Sequence, residues 1–385
     1  MKEGWKMVKL TDISENLDYM RVPITKNVRE VGKYPYYGAS GVVDYVNDYI
    51  YDEDLLLISE DGANLLARAT PIAFSVSGKV WVNNHAHVLR FKSLTTQKFV
   101  EYFIAGFNIK PYVTGMAQPK LNQRALEKIK LPLPPLEEQH RIVSILDAAF
   151  EKIDKLKANA EENLKNAKAL FQQVLAQELK PKEGWVEKKL GEVVVKNEVG
   201  LVKNTKEQDA RYDYPYLKMG NITNSNYLDM SSMVNVNATK EEVERYSLYY
   251  GDFLFNTRNS KELVGKSCVY DKKEGVCLYN NNIIRFTFDQ IINPFFINYM
   301  FGNKIIKEQL ERIKKGTTNV WAIYYKDLKD IILSFPTISE QQRIVQTLDT
   351  LSEKCRRLET IAQQTIRECD ALKQSILRQA FSGEL

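Results

Sequence analysis

The chain is poor in the side chains on which most enzymes depend. It has three histidines, His85, His87 and His140, in 385 residues. Its four cysteines, Cys268, Cys277, Cys355 and Cys369, form no CxxC pair, and the first 267 residues contain none. That pattern excludes a disulfide framework and a cysteine zinc site, and points to reduced thiols in the cytoplasm. No apolar run reaches the roughly 18 residues of a membrane span. The first residues, "MKEGWKMVKL", lack the apolar core of a secretory signal. A strong charge bias is also missing. The net charge is +5, with 44% hydrophobic and 27% charged residues, a soluble globular composition. Mild basicity permits a polyanionic partner without identifying one. The length implies two to three domains.

Familiar catalytic and ligand motifs are incomplete. "NPFF" (Asn293–Phe296) resembles the [DN]PP[YF] tetrapeptide of amino-methyltransferases but lacks its second proline, and no FxGxG loop accompanies it. Pro294 suits the first position of a helix. "SKELVGKS" (Ser260–Ser267) has a serine where a Walker A motif begins with glycine. His85 and His87 share one face of an expected strand, but no third ligand is evident, which favours hydrogen-bonding or core histidines over a metal pair. No serine or cysteine nucleophile has a clear histidine partner. The sequence therefore argues against a stand-alone enzyme, with no catalytic or metal residues assigned.

Glycine and proline are absent from two long stretches, between Glu137 and Lys180 and between Ile338 and Ser382. These stretches are copies of each other. Leu131–Gln177 aligns with Leu333–Gln379 without a gap, at an offset of 202, with 18 of 47 positions identical. A shorter echo joins "KEGWKMVKL" (Lys2–Leu10) to "KEGWVEKKL" (Lys182–Leu190) at an offset of 180, so the second middle is the longer one. Helix formers dominate both stretches, and Pro134, Pro135 and Pro336 precede them. A heptad runs through the first: Leu146, Ala149, Ile153, Leu156, Ala160, Asn163, Ala167, Leu170, Val174. The matching register in the second is Leu348, Leu351, Cys355, Leu358, Ala362, Thr365, Cys369, Leu372, Ile376. Alternating spacings of 3 and 4 predict a coiled-coil seam. Two matched seams in one chain bury each other most simply as an antiparallel pair of helices, each about 60 Å long, related by an internal pseudo-twofold axis. Gln139, Arg141 and Asp147, with Gln341, Arg343 and Asp349, are then candidates for holding a domain to its helix or for docking a partner.

The two middles read as mixed α/β. In the first, "GVVDYVND", "DLLLIS", "PIAFSV", "KVWVNN" and "HAHVLRF" predict strands and "TTQKFVEYFIAGFN" a helix. The second has the same order, with "NPFFINYMFGNKIIKEQLERI" read as a single helix. Its loops and those of the first mix basic, amide, hydroxyl and aromatic side chains, the types that contact phosphates and base edges. Candidate nucleic-acid contacts in the first middle are Lys33, Tyr37, Ser40, Asn64, Ser77, Lys79, Asn84, Gln118 and Lys120. Those in the second are Lys218, Asn221, Thr223, Asn224, Arg258, Asn259, Ser260, Lys261, Lys266, Asn281, Thr317, Thr318 and Asn319. Such residues are also ordinary turn and strand residues, so composition alone leaves both readings open.

At this level the chain resembles the specificity subunits of Type I restriction–modification systems. The resemblance is carried by "YGASG" (Tyr37–Gly41), "SEDGANL" (Ser59–Leu65), "VNNHAHVLR" (Val82–Arg90) and "LPLPPLEEQHRIVSILD" (Leu131–Asp147). It is also carried by "YLKMGNI" (Tyr216–Ile222), "GDFLFNTRN" (Gly251–Asn259), "VGKSCVY" (Val264–Tyr270) and "QAFSGEL" (Gln379–Leu385). The resemblance implies an α+β architecture. Two α/β target-recognition domains, at 1–134 and 181–337, would be joined by conserved spacer helices at 135–180 and 338–385. It implies that each domain reads half of a split, asymmetric site in double-stranded DNA. The coiled coil would set the spacer and dock two modification (methyltransferase) subunits, which restriction (translocase–nuclease) subunits join. S-adenosylmethionine, ATP and Mg would then belong to those partners and not to this chain. "KEGW" at the chain start matches sequence that follows the first helix, so chain start and chain end are expected to meet. The alternative is a stand-alone DNA-binding regulator without catalytic partners.

Overall fold

The structure is a computed structural model that describes residues 2–115, 117–317 and 320–385. It divides into two compact units, Met1–Glu162 with Ala362–Leu385, and Asn163–Ile361. Each unit thus comprises a mixed domain and one half of each of two long helices, Leu136–Glu178 and Ile338–Ser382.

In the first unit a four-stranded sheet has the order Ser14–Asn16, Ala86–Phe91, Leu55–Ser59, Ala73–Val76. Its pairings are antiparallel. The strand Leu55–Ser59 is buried along its whole length, which explains its unbroken apolar run. Leu56 and Ile58 face Phe99, Val100, Phe103 and Ile104 of the helix Leu94–Gly106. Leu55 and Leu57 face the other way, toward Val80 and Val82 of a second sheet. The alternation is the period of two that a pleated strand imposes. A ribbon of Lys6–Lys9 against Lys130–Leu133 delivers the chain to the first long helix.

The second unit repeats this plan. Its sheet runs Val194–Val199, Ile283–Phe288, Phe253–Asn256, Ser267–Val269, and its ribbon pairs Val186–Lys189 with Ile332–Phe335. Four positions of the helix contribution to the core are repeated in the two units. Ile142, Val143, Leu146 and Leu377 enter the core of the first unit. Ile344, Val345, Leu348 and Leu175, their counterparts at the offset of 202, enter that of the second. The single helix expected over residues 293–313 is in fact two, Pro294–Gly302 and Lys304–Ile313. Asn303 makes the break, because its side chain accepts from the Ile305 N–H and caps the second piece.

The two long helices run antiparallel within each unit. In the first, Lys157 pairs with Asp370 at 2.6 Å and Asp154 pairs with Lys373. In the second, Arg343 reaches Glu178 at 3.0 Å. The seam is displaced from its expected register. Leu146, Ile153, Ala160, Ala167, Leu348, Cys355, Ala362 and Cys369 are buried, and Val174, Leu351 and Ile376 are half-buried. Leu156, Leu170, Leu358 and Leu372 are instead 45–52% exposed, which corrects their assignment to the seam. The alternate places are taken one residue later, by Phe150, Lys157, Leu164 and Phe171 and by Ser352, Glu359, Ile366 and Lys373. The cause is aromatic packing against the domains. Phe150 meets Tyr102 edge-on at 5.4 Å, and Phe171 lies 6.4 Å from Tyr299. One residue is a rotation of about 100°, so turning the phenylalanines inward turns the leucines outward.

Candidate nucleic-acid interface

The ends of the central strands form one edge in each unit. In the first, Glu60–Asn64 follows Leu55–Ser59, and Asn83–His85 precedes Ala86–Phe91. The next segment closes over them through bridges from Lys120 to Asp61 and Thr114. Asn83 folds its side chain onto the His85 N–H (2.8 Å), and the His85 carbonyl accepts from the Glu60 N–H (2.8 Å). In the second unit Asn280 accepts from the Asn282 N–H (2.7 Å), and the Asn282 carbonyl accepts from the Thr257 N–H (2.8 Å). A three-stranded ribbon of Arg258–Asn259, Trp321–Ala322 and Lys315–Gly316 takes the place of the bridges. The backbone of the edge is therefore the same in both units.

Its chemistry is not. The first edge holds a part-buried ion network. Arg21 donates to Glu60 at 2.7 Å and reaches Asp18 at 3.4 Å, and Lys120 lies 3.1 Å from Glu60. Burial pushes the Glu60 carboxyl up, but Arg21, His87 and Lys120 outweigh it and hold it below its usual range. Asp18 behaves likewise: burial is overcome by His87, the Val88 N–H and Arg21. His87 is fully buried, with Nδ1 2.6 Å from Asp18 and Nε2 2.8 Å from the Leu121 carbonyl. Asp18, Glu60 and His87 have the spacing of a metal-ligand set, but Arg21 already bridges the two carboxylates and fills the role of the cation. His85 points elsewhere, its Nδ1 2.9 Å from Asp61, so the two histidines do not form a pair. Sequence reasoning missed Arg21, Asp61 and His85 as edge residues, since no local spacing links them.

The second edge is basic and amide-rich. Arg258 is exposed, Asn259 donates to Asn256 Oδ1 at 3.1 Å, and Ser260 N–H donates back to Asn259. Lys261 lies over the Trp321 ring at 4.9 Å. Asn281 and Thr317 flank this surface, while Thr318 and Asn319 lie outside the described residues. Lys218 stands beside it, as the Leu217 carbonyl accepts from the Asn280 N–H (2.9 Å), and gives its Nζ to Gln208.

The remaining candidates divide between the first edge and places away from it. Ser40 sits in the tight turn before Gly41, whose φ of +121° only glycine adopts easily, and Ser59 Oγ ties that turn to the first edge. Asn64, Asn84, Gln118 and Lys120 lie along the same edge, and Tyr37 is half-buried against Phe74. Lys33, Ser77 and Lys79 lie at the far end of the strands, where Val76 pairs with Leu55. There Lys33 covers Tyr34 and Lys79 covers Tyr49, making a second basic and aromatic cluster. Four assignments need correction. Asn221 is buried and donates to the Asp229 and Ser232 carbonyls. Lys266 turns inward to the Met219 and Ile222 carbonyls, and burial lowers its pKa. Thr223 and Asn224 face the long helices instead of the edge. Their loop is held there by Tyr227, which bonds Ser352 and lies under Arg356 at 4.1 Å.

The repeated motif at each helix start has a structural role. Gln139 donates to the Pro134 carbonyl and accepts from Thr96, both at 2.8 Å. Gln341 donates to the Pro336 and Ile291 carbonyls at 2.9 Å and accepts from the Asn293 N–H at 2.8 Å. Tyr102 donates to Asp147, and Tyr299 to Asp349 at 2.5 Å. Burial and the adjacent carboxylate raise both tyrosine pKa values. Arg141 pairs with Glu138, holding its carboxyl down to about 2, and also reaches the Leu385 carbonyl at 2.6 Å. Lys2 reaches the same carbonyl at 3.4 Å, so chain start and chain end meet. Arg343 pairs with Glu340 and Glu178.

The sequence model of the Type I restriction modification DNA specificity domain matches residues 2–166 and again residues 182–368. The chain belongs to this family. As a specificity subunit it is a recognition component that binds DNA and partner subunits, and it is not an enzyme. It is 28% identical over 358 residues to a type I restriction enzyme specificity subunit of Haemophilus influenzae, covering 90% of this chain and 86% of that one. To the EcoKI specificity subunit of Escherichia coli it is 25% identical over 314 residues, 77% of this chain and 68% of that one. Among solved structures it is similar to a chain described under complex assembly and conformational transition of the type I R-M system. That similarity has a TM-score of 0.69 at 20% identity, covering 100% of this chain and 99% of the other. The HsdS subunit of Thermoanaerobacter tengcongensis gives 0.53 at 20% identity, over 100% and 98%. The specificity subunit thus has two repeated mixed domains and two long helices. No helix among the described residues is long and apolar enough to cross a membrane.

Proposed function

We propose that the mixed domains, residues 1–134 and 181–337, each read one half of a split, asymmetric duplex site. The helices 135–180 and 338–385 set the gap between the halves and hold two modification (methyltransferase) subunits. Restriction (translocase–nuclease) subunits join that assembly in the cytoplasm, and S-adenosylmethionine, ATP and Mg are bound by these partners.

One observation carries the reading: the same edge backbone recurs with different side chains, His85 and Asp61 against Asn282 and Arg258. Two copies of one scaffold with unlike surfaces suit two unlike half-sites. Two readers on one face of B-DNA need centres about 34 Å apart, or a multiple, which helices of this length can span. Leu156 and Leu372 of the first unit, and Leu170 and Leu358 of the second, offer apolar surface to the modification subunits.

A domain exchange tests the assignment. Replacing residues 181–337 by those of another specificity subunit, followed by methylome sequencing of the host, is expected to change one half-site and leave the other intact. A change in both half-sites, or in neither, contradicts it.

A further inference from the structure

We infer that His85 reads a base edge in the half-site of the first domain, with Asp61 as its positioning residue. The inference rests on the two-reader function proposed above and adds which side chain sets a letter.

His85 and Asn282 occupy one place on one backbone. Each follows an Asn side chain that accepts its N–H, at 2.8 Å from Asn83 and 2.7 Å from Asn280. Each offers its carbonyl to the first residue after the central strand, Glu60 or Thr257, at 2.8 Å. The neighbouring place is matched too: Asp61 bridges Lys120 as Arg258 pairs with Ala322. The fold fixes where the side chain is displayed and leaves its chemistry open, as a specificity position requires.

The imidazole is also oriented. Its Nδ1 lies 3.0 and 2.9 Å from the two Asp61 oxygens, and the side chain remains 49% exposed. The carboxylate accepts, so Nδ1 carries the hydrogen, and Nε2 is the ring atom left to meet a partner. Asp61 itself is only 15% exposed, which holds the ring in place from below. His87, two residues on, has both nitrogens occupied inside the domain and is not available in this way. One outward nitrogen makes one directional hydrogen bond, so His85 governs a single base position.

Selection from a library of randomised duplexes by the full chain tests this. The native chain is expected to select two half-sites. His85→Ala should lose about tenfold in discrimination at one position of one half-site, and the other half-site should be unchanged. His85→Asn installs the residue type that Asn282 supplies at the matched place of the second domain and should shift the preferred letter at that position. Asp61→Ala should weaken the same letter, and Asp61→Asn, which still accepts from Nδ1, should recover part of it. Unchanged letters in both His85 variants overturn the inference while the two-reader function stands. Uniformly weaker binding without a change of letter also overturns it, since a purely structural histidine behaves so. A native chain that selects no sequence overturns the two-reader function and this inference together.

Discussion

Gln341 is wholly buried and makes three hydrogen bonds, to the carbonyls of Ile291 and Pro336 and from the Asn293 N–H. Its removal orphans one buried and two part-buried backbone groups, which costs more than the bonds themselves are worth. Gln341→Ala is expected to destabilise the chain by about 2–3 kcal/mol in urea unfolding. Arg343→Ala, two residues away on the exposed side, should cost about 0–1 kcal/mol. Equal small losses would show that the domain is not anchored here. The sequence marks these residues through the repeat alone, because repetition singles out Gln139 and Gln341 without saying which way they point. The edge residues are harder to see. His85 and Asp61 are 24 positions apart, and Arg21 reaches Glu60 across 39. Only the sheet brings them together, and the same sheet turns Lys266 and Asn221 inward.

Among the elements, the long helices were legible as helices and less so as a seam. A run free of glycine and proline fixes their extent to within a residue or two of Leu136–Glu178 and Ile338–Ser382. A heptad of alternating 3 and 4 spacings has two solutions, however, and leucine preference selects the wrong one. The contact to Tyr102 and Tyr299 that rotates Phe150 and Phe171 inward is a tertiary interaction, invisible in the helix sequence. The two registers make opposite predictions. Leu156→Gln and Leu358→Gln should shift stability by no more than about 0.5 kcal/mol. Ala160→Leu and Ala362→Leu, at small buried places, should cost about 1–3 kcal/mol. Thermal unfolding followed by circular dichroism distinguishes them, and the reverse ranking would restore the leucine seam. Asn303 is a similar case: the run from Asn293 reads as one helix until the cap on Ile305 is seen.

For the molecule as a whole, the duplication was the most legible feature, and it gives the α+β plan of two repeated domains and two long helices. The unlike edges could not be read from it, since the repeat covers the helices and the middles diverge. With a net charge of only +5, the chain's affinity for a duplex rests on where its lysines and arginines lie. The central claim is that the helices measure the gap between two independently read half-sites. Deleting one heptad from each, Ala160–Asn166 with Ala362–Glu368, shortens both helices by about 10 Å while keeping the seam in phase. Methylome sequencing of cells carrying that variant with its modification subunits should return the same half-site letters with a shorter gap. Altered letters with an unchanged gap would contradict the claim.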